Sequence, residues 1–180
     1  MKSIIFIPVK DYLKSRKKLP LKFITPLFVS IISLVGALTF DIGDADQVMS
    51  VFSEFIGVQI NIVAILVSFS VAIITILVSA DNQNIQQLRR ATSDHKKYKS
   101  INGKALSLFQ VLLSNIAYNV VVEVVYLVFL IGIVVIKVLL PIDILKYIVV
   151  LCIFVMLHIL LVLLESVAQM YLTFWENKTL

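Results

Sequence analysis

Residues 114–126 read S-N-I-A-Y-N-V-V-V-E-V-V-Y, and within them Asn115, Asn119 and Glu123 recur every fourth residue. On a helix that spacing places two amides and a carboxyl group on one face. Tyr126 continues the row, and Gln110, Ser114 and Tyr118 form a neighbouring row on the same side. The residues around them, such as Val120, Val121, Val124, Val125, Leu127 and Ile131, suit lipid. A second set, His158, Glu165 and Gln169, is spaced by seven and four and again shares one face. An ionisable group deep in a bilayer costs ~2.5–3.5 kcal/mol on insertion scales, so it turns toward protein or water and takes a partner. Two uses follow. One is adhesion between helices, at ~0.6 kcal/mol per contact. The other is a water-filled path or protonation switch centred on Glu123, which either forms an ion pair with His158 or donates to it in its neutral form.

Depth along the helices matches these groups. At ~1.5 Å per residue, Glu123 lies about 21 Å in from Lys137 and His158 about 18 Å in from Lys146. By the same measure Asn119 and Glu165 pair at about 27 and 28 Å. Ser114, His158 and Glu165 could be drawn as a catalytic triad, but Ser114 falls at about 35 Å against about 18 Å for His158, so that geometry is not expected. No G-x-x-x-x-G-K, H-E-x-x-H or G-x-S-x-G run occurs. His95 and His158 are assigned to different compartments, and Cys152 is the single cysteine, so no metal site, cofactor or disulfide framework is expected. The chain reads as a binding protein, not an enzyme.

Four apolar stretches must carry these residues: about Phe23 to Phe40, about Gly57 to Ala80, Ala105 to Ile136, and about Tyr147 to Phe174. Each suffices for a hydrocarbon core that needs about 20 helical residues. With 60% hydrophobic and 15% charged residues, the 180-residue chain is too apolar for an ordinary soluble domain. The expected fold is all-α: a polytopic membrane protein with a bundle of four transmembrane helices. The N-terminal run Ile4–Val9 is short, contains Pro8 and precedes its basic cluster, so it does not read as a signal peptide.

Charge sets orientation. Lys2, Lys10, Lys14, Arg16, Lys17, Lys18 and Lys22 precede the first span, and Arg89, Arg90, Lys96, Lys97, Lys99 and Lys104 lie between the second and third. The connection between the first and second spans, read as a loop, carries only Asp41, Asp44, Asp46 and Glu54. Basic residues stay inside, so both termini and the 81–104 loop are predicted to be cytoplasmic. Of the 16 basic residues, Lys137 and Lys146 alone depart from the pattern. The domains follow: a basic arm over 1–22, a transmembrane domain over 23–175 with a cytoplasmic loop at 81–104, and a tail over 176–180. The loop is expected to extend the second helix through about Arg90 and to turn near Asn102-Gly103. Its basic residues serve topology and headgroup or partner contact, which weakens a nucleic-acid reading of His95-Lys96-Lys97-Tyr98-Lys99.

The second span carries Ala64, Ser68, Ala72, Thr75 and Ser79 on one face. Small residues let helices approach closely in lipid, so the stripe is expected to be a packing face; its alternative role is to line a pore. Three spans each with a polar or small stripe exceed what one four-helix monomer can cover. A homo-oligomer, a ring or tetramer, is therefore expected.

The run I-N-I-V-A-I-L-V-S-F-S-V-A-I-I-T-I-L-V-S-A-D-N-Q-N-I at 60–85, the long helix from Lys104 and the basic arm resemble the small membrane subunit of bacterial Kiwa anti-phage defence systems, the KwaA family. The resemblance is architectural and spans most of the chain. It implies an oligomeric inner-membrane sensor of phage attack whose cytosolic partner is a KwaB-like DNA-binding effector, docked on the arm, the 81–104 loop and the tail. The competing expectation is a small ion channel or membrane-depolarising effector whose pore uses the third-span polar row.

Overall fold

The computed structural model describes residues 4–17, 19–39, 44–79, 83–93, 98 and 105–176. Those residues are helical throughout apart from short connections, and no strand occurs among them. A single helical turn, Ile4–Phe6, leads into α1 (Ile7–Ser15); α2 is Leu19–Thr39, α3 Ala45–Ser79, α4 Gln83–Arg90 and α5 Leu108–Ile136. A tight turn at Lys137–Leu139 precedes α6, Ile142–Glu176. Four of these helices, α2, α3, α5 and α6, are long and apolar enough to cross a membrane. The chain is a multi-pass membrane protein of all-α class.

Helix boundaries depart from the apolar runs for local reasons. The stretch 45–56, expected to be loop, is helix: Val48 N–H donates to the Asp44 carbonyl at 3.1 Å. Hydropathy alone hides this because Asp46 and Glu54 interrupt the apolar run. Their side chains face outward, while Phe52 and Ile56, one turn apart, are buried. Likewise α2 opens at Leu19, four residues before the apolar run; Pro20 fits a first helical turn. Pro26 sits inside α2, where it withholds one ladder N–H, and the Ser30 hydroxyl donates to the Pro26 carbonyl at 2.8 Å. Helix α3 is described to Ser79 and α4 from Gln83; the expected continuation through about Arg90 passes residues 80–82, which lie outside the described residues. The expected turn at 102–103 lies outside the described residues.

Contacts divide the chain into two units. One contains residues 1–19, 68–122 and 160–180. Its core joins Leu77 of α3, Ile85 and Leu88 of α4, and Leu112 and Ile116 of α5. Ile85 and Leu88 stand three apart, so the short α4 presents one apolar face to that cluster. A capping box starts α5: the Ser107 hydroxyl accepts from Gln110 N–H at 3.2 Å, and the Gln110 side-chain Oε1 accepts from Ser107 N–H at 3.0 Å. Backbone bonds from Ser93 to Leu106 and from Leu108 to Ala91, both 2.9 Å, tie α4 to this start.

The other unit contains residues 20–67 and 123–159. Phe52, Ile56, Val63, Tyr126, Leu130, Ile133, Leu145 and Cys152 are buried there. The Tyr126 hydroxyl reaches the Cys152 carbonyl at 3.1 Å, with the Gln59 side-chain oxygen at 3.4 Å. Lys137 turns back to donate to Ser53 at 2.8 Å. Leu140, extended before Pro141, breaks the path between α5 and α6.

The exposed side chains complete the membrane reading. Leu21, Phe28, Ile32, Ile65, Ile76, Val128, Val135 and Leu164 are all more than half exposed, an outer surface suited to acyl chains. In lipid such burial carries little transfer energy, so close packing and polar contacts hold the helices. Replacing the fully buried Leu130 by Ala therefore loses the packing term, about 1–3 kcal/mol. The same truncation at Val135, 74% exposed, costs less than about 0.5 kcal/mol. Equilibrium unfolding in mixed micelles checks both; equal losses would contradict the assignment of inner and outer faces.

Candidate functional site

The polar row on α5 is buried: Asn115 is 2% exposed, Asn119 1% and Glu123 0%. On α6, His158 is 4% exposed. Each of these four side chains is covered within the single chain. Glu123 and His158 belong to the same unit. The His158 ring stacks on Phe23 of α2, with centroids 4.6 Å apart and planes within 11°. Phe23 thus supplies an aromatic lid over the imidazole that the spacing of polar residues did not reveal.

The organising group in the other unit is one the sequence reading treated only as a topology charge, Arg16. After α1 ends at Ser15 the backbone becomes extended at Arg16 (φ −102°, ψ 135°). There it forms an isolated antiparallel bridge with Tyr98 of the α4–α5 connection. The Arg16 side chain is 3% exposed. One guanidinium nitrogen, Nη1, donates to both Glu165 oxygens at 2.9 and 3.2 Å. The other, Nη2, donates to Asn115 Oδ1. Gln169 closes the ring: its Oε1 accepts from Asn115 Nδ2 at 3.3 Å, and its Nε2 contacts Glu165 Oε1 at 3.2 Å and the Tyr98 hydroxyl. The guanidinium also lies 4.4 Å from the Tyr12 ring centre and 5.4 Å from that of Tyr98. Tyr12 presents its ring to Tyr118 as well, parallel within 3° at 3.9 Å. Val162, Val9, Leu19 and Val122 pack around these rings.

This arrangement is a four-way clamp. Residues from the N-terminal arm, the α4–α5 connection, α5 and α6 meet on one guanidinium. An arginine suits the place because its planar fork can satisfy a carboxylate and an amide at once while its faces stack on rings. Glu165, expected to match Asn119 in depth, is engaged by Arg16 and Gln169. The available signal was composition: Arg16 is the one arginine among the lysines of the arm, and only Arg89 and Arg90 accompany it in the chain.

The remaining expected site residues fall elsewhere. Ala64, Ser68, Ala72, Thr75 and Ser79 face outward in the single chain. The face of α3 that packs inward is Phe52, Ile56, Gln59, Val63, Ser70 and Leu77 instead. Larger side chains on that face fill the interior; the small stripe is left for the membrane or a neighbour. Arg89 and Arg90 are exposed at the end of α4, and Arg89 lies 5.0 Å from the Phe109 ring centre. Lys96, Lys97 and Lys99 lie outside the described residues. Among the described residues, no three His, Cys, Asp or Glu side chains gather as metal ligands.

Tyr12 carries the pH signature of the clamp. Burial pushes its phenol up to about 12, against a smaller opposing pull from the nearby Arg16 charge. A released Tyr12 ionises near pH 10, the docked one does not. The docked form then holds more protons, so docking weakens as pH rises from about 10 toward 12. Near-ultraviolet circular dichroism of the stacked tyrosines in detergent is expected to weaken over that window in wild type and less steeply in Tyr12→Phe, while trypsin cleavage at Lys10 and Lys14 follows arm docking at neutral pH. Arg16→Ala leaves the Glu165 carboxylate without its cation, and cleavage is expected to rise about ten-fold or more at neutral pH. Unchanged cleavage would contradict a docked arm. Comparison of the chain with protein-family models, curated proteins and solved structures finds no match.

Proposed function

We propose that this protein is a membrane-embedded sensor and scaffold that controls a cytosolic protein partner, with both termini and the α4–α5 connection in the cytoplasm of a bacterium. The observation that supports it most is the Arg16 clamp, which joins the arm and the connection to α5 and α6. A disturbance that shifts α6 against α5 alters the Arg16 ligands and so reaches the arm directly. The excess of basic residues at this end supports the inward orientation. The Kiwa resemblance supplies the setting, anti-phage defence, and the partner class, a soluble DNA-binding effector. The outward small-residue stripe of α3 supports a homo-oligomer, since small side chains permit close helix approach.

A second reading, a small channel, rests on the buried row Asn115, Asn119 and Glu123 with His158. A single chain seals this row from solvent, so conduction would require the helices to part. The stronger reading is the scaffold, because the clamp couples the two ends of the sequence without any pore.

Co-purification with a co-expressed soluble DNA-binding effector of the KwaB type tests the proposal. Arg16→Ala, verified as correctly inserted, is expected to change partner capture by about five-fold or more, and Glu123→Gln by less than two-fold. Capture that ignores Arg16 while planar-bilayer currents depend on Glu123 would favour the channel. Crosslinking through cysteines placed at Ala64 and Ala72 is expected to return dimers or higher species in native membranes; monomer alone would count against the oligomer.

A further inference from the structure

Two of the three arginines, Arg89 and Arg90, line a polar cavity of about 260 Å³ with Thr92, Ser107 and Gln110. We propose that this cavity, between the end of α4 and the start of α5, binds a phosphoryl anion. The proposal stands apart from the partner reading: it concerns a small anion and holds whether or not a cytosolic protein docks.

Local structure fixes the two cations. Ile85 and Leu88 anchor α4 on Leu77, Leu112 and Ile116, which sets Arg89 and Arg90 at its last turn. Arg89 lies over Phe109, itself packed against that cluster, so its guanidinium is held before any ligand arrives. Backbone bonds between Ser93 and Leu106 and between Ala91 and Leu108 hold the two sides of the cavity together.

Charge selects the ligand. Among the described residues no carboxylate pairs with either guanidinium; the ion pair found there belongs to Arg16. The cavity also sits at the first turn of the 29-residue α5, whose dipole favours negative charge. The helix amides contribute little else, because Ser107, Leu108 and Gln110 N–H groups are already engaged. The hydrogen bonds must come from the two guanidinium forks and the Thr92 and Ser107 hydroxyls. A tetrahedral phosphoryl group offers several oxygens around one centre and can accept from two forks at once. The space exceeds that of a single water, ~30 Å³, several-fold, enough for the group and its remaining hydration. The phosphate of an anionic lipid headgroup and free phosphate share this chemistry.

Full-length protein in an uncharged detergent is titrated with short-chain phosphatidylglycerol in one arm and inorganic phosphate in the other, with bound ligand counted by native mass spectrometry and heat by calorimetry. Arg89→Gln/Arg90→Gln is expected to weaken binding about ten-fold or more. Lys10→Gln/Lys14→Gln, which removes the same charge from the exposed face of α1, is expected to change it less than two-fold. Both arginines are exposed, so the variant is expected to keep its helices, which circular dichroism checks. Saturable lipid binding without phosphate binding identifies the headgroup as source, and phosphate binding identifies a soluble phosphoryl ligand. Either supports the site when the arginine variant loses it. Equal losses in the two variants, or no saturable binding in either arm, would overturn it.

Discussion

A charged arginine tied to a carboxylate between membrane helices is the constraint around which half of this molecule is arranged. Arg16 loses water, and the chain answers with two carboxylate contacts from Glu165, an amide oxygen from Asn115, and the faces of Tyr12 and Tyr98. Taking one charge out of water is expensive, and mutual attraction repays it only when the remaining hydrogen-bond positions are filled. Gln169 does this for both sides, bridging Asn115 and Glu165. A lysine could supply the charge but not two directional forks and a stacking plane. The arm is thereby a part of the folded core rather than a loose basic tail.

The second unit solves a different problem with milder chemistry. Tyr126 places its hydroxyl against the Cys152 carbonyl, and Phe23 covers His158. These contacts specify which helix faces meet, where apolar packing alone would be permissive, since acyl chains compete on equal terms. Lys137, one of the two cations that broke the charge pattern, bends to Ser53 and ties α3 to the α5–α6 turn. The outer surface, rich in exposed Leu, Ile, Val and Phe, is left to lipid.

Much of this was legible in the sequence, and the limits have physical causes. Hydropathy finds four spans because a bilayer demands long apolar runs. The four-residue spacing of Asn115, Asn119 and Glu123 foretold a buried face, and all three are buried. The same hydropathy missed the first three turns of α3, where Asp46 and Glu54 face outward and Phe52 and Ile56 carry the periodic signal. The capping box Ser107–Gln110 was readable as a local pattern but sat just inside the apolar run and was passed over. Arg16 could not be placed from pattern, because its partner stands 149 residues away. Its identity as the lone arginine in a lysine-rich arm was the one available hint.

Arg16 and Glu165 act as one unit. A double-mutant cycle with Arg16→Ala, Glu165→Ala and the double variant, read by equilibrium unfolding in lipid-containing micelles, measures that directly. The pair is 3% and 27% exposed, and a coupling of about 1–3 kcal/mol is expected, with the double variant less damaged than the sum of the singles. Additive losses within about 0.3 kcal/mol would contradict the clamp, leaving the arm a topology signal and no more.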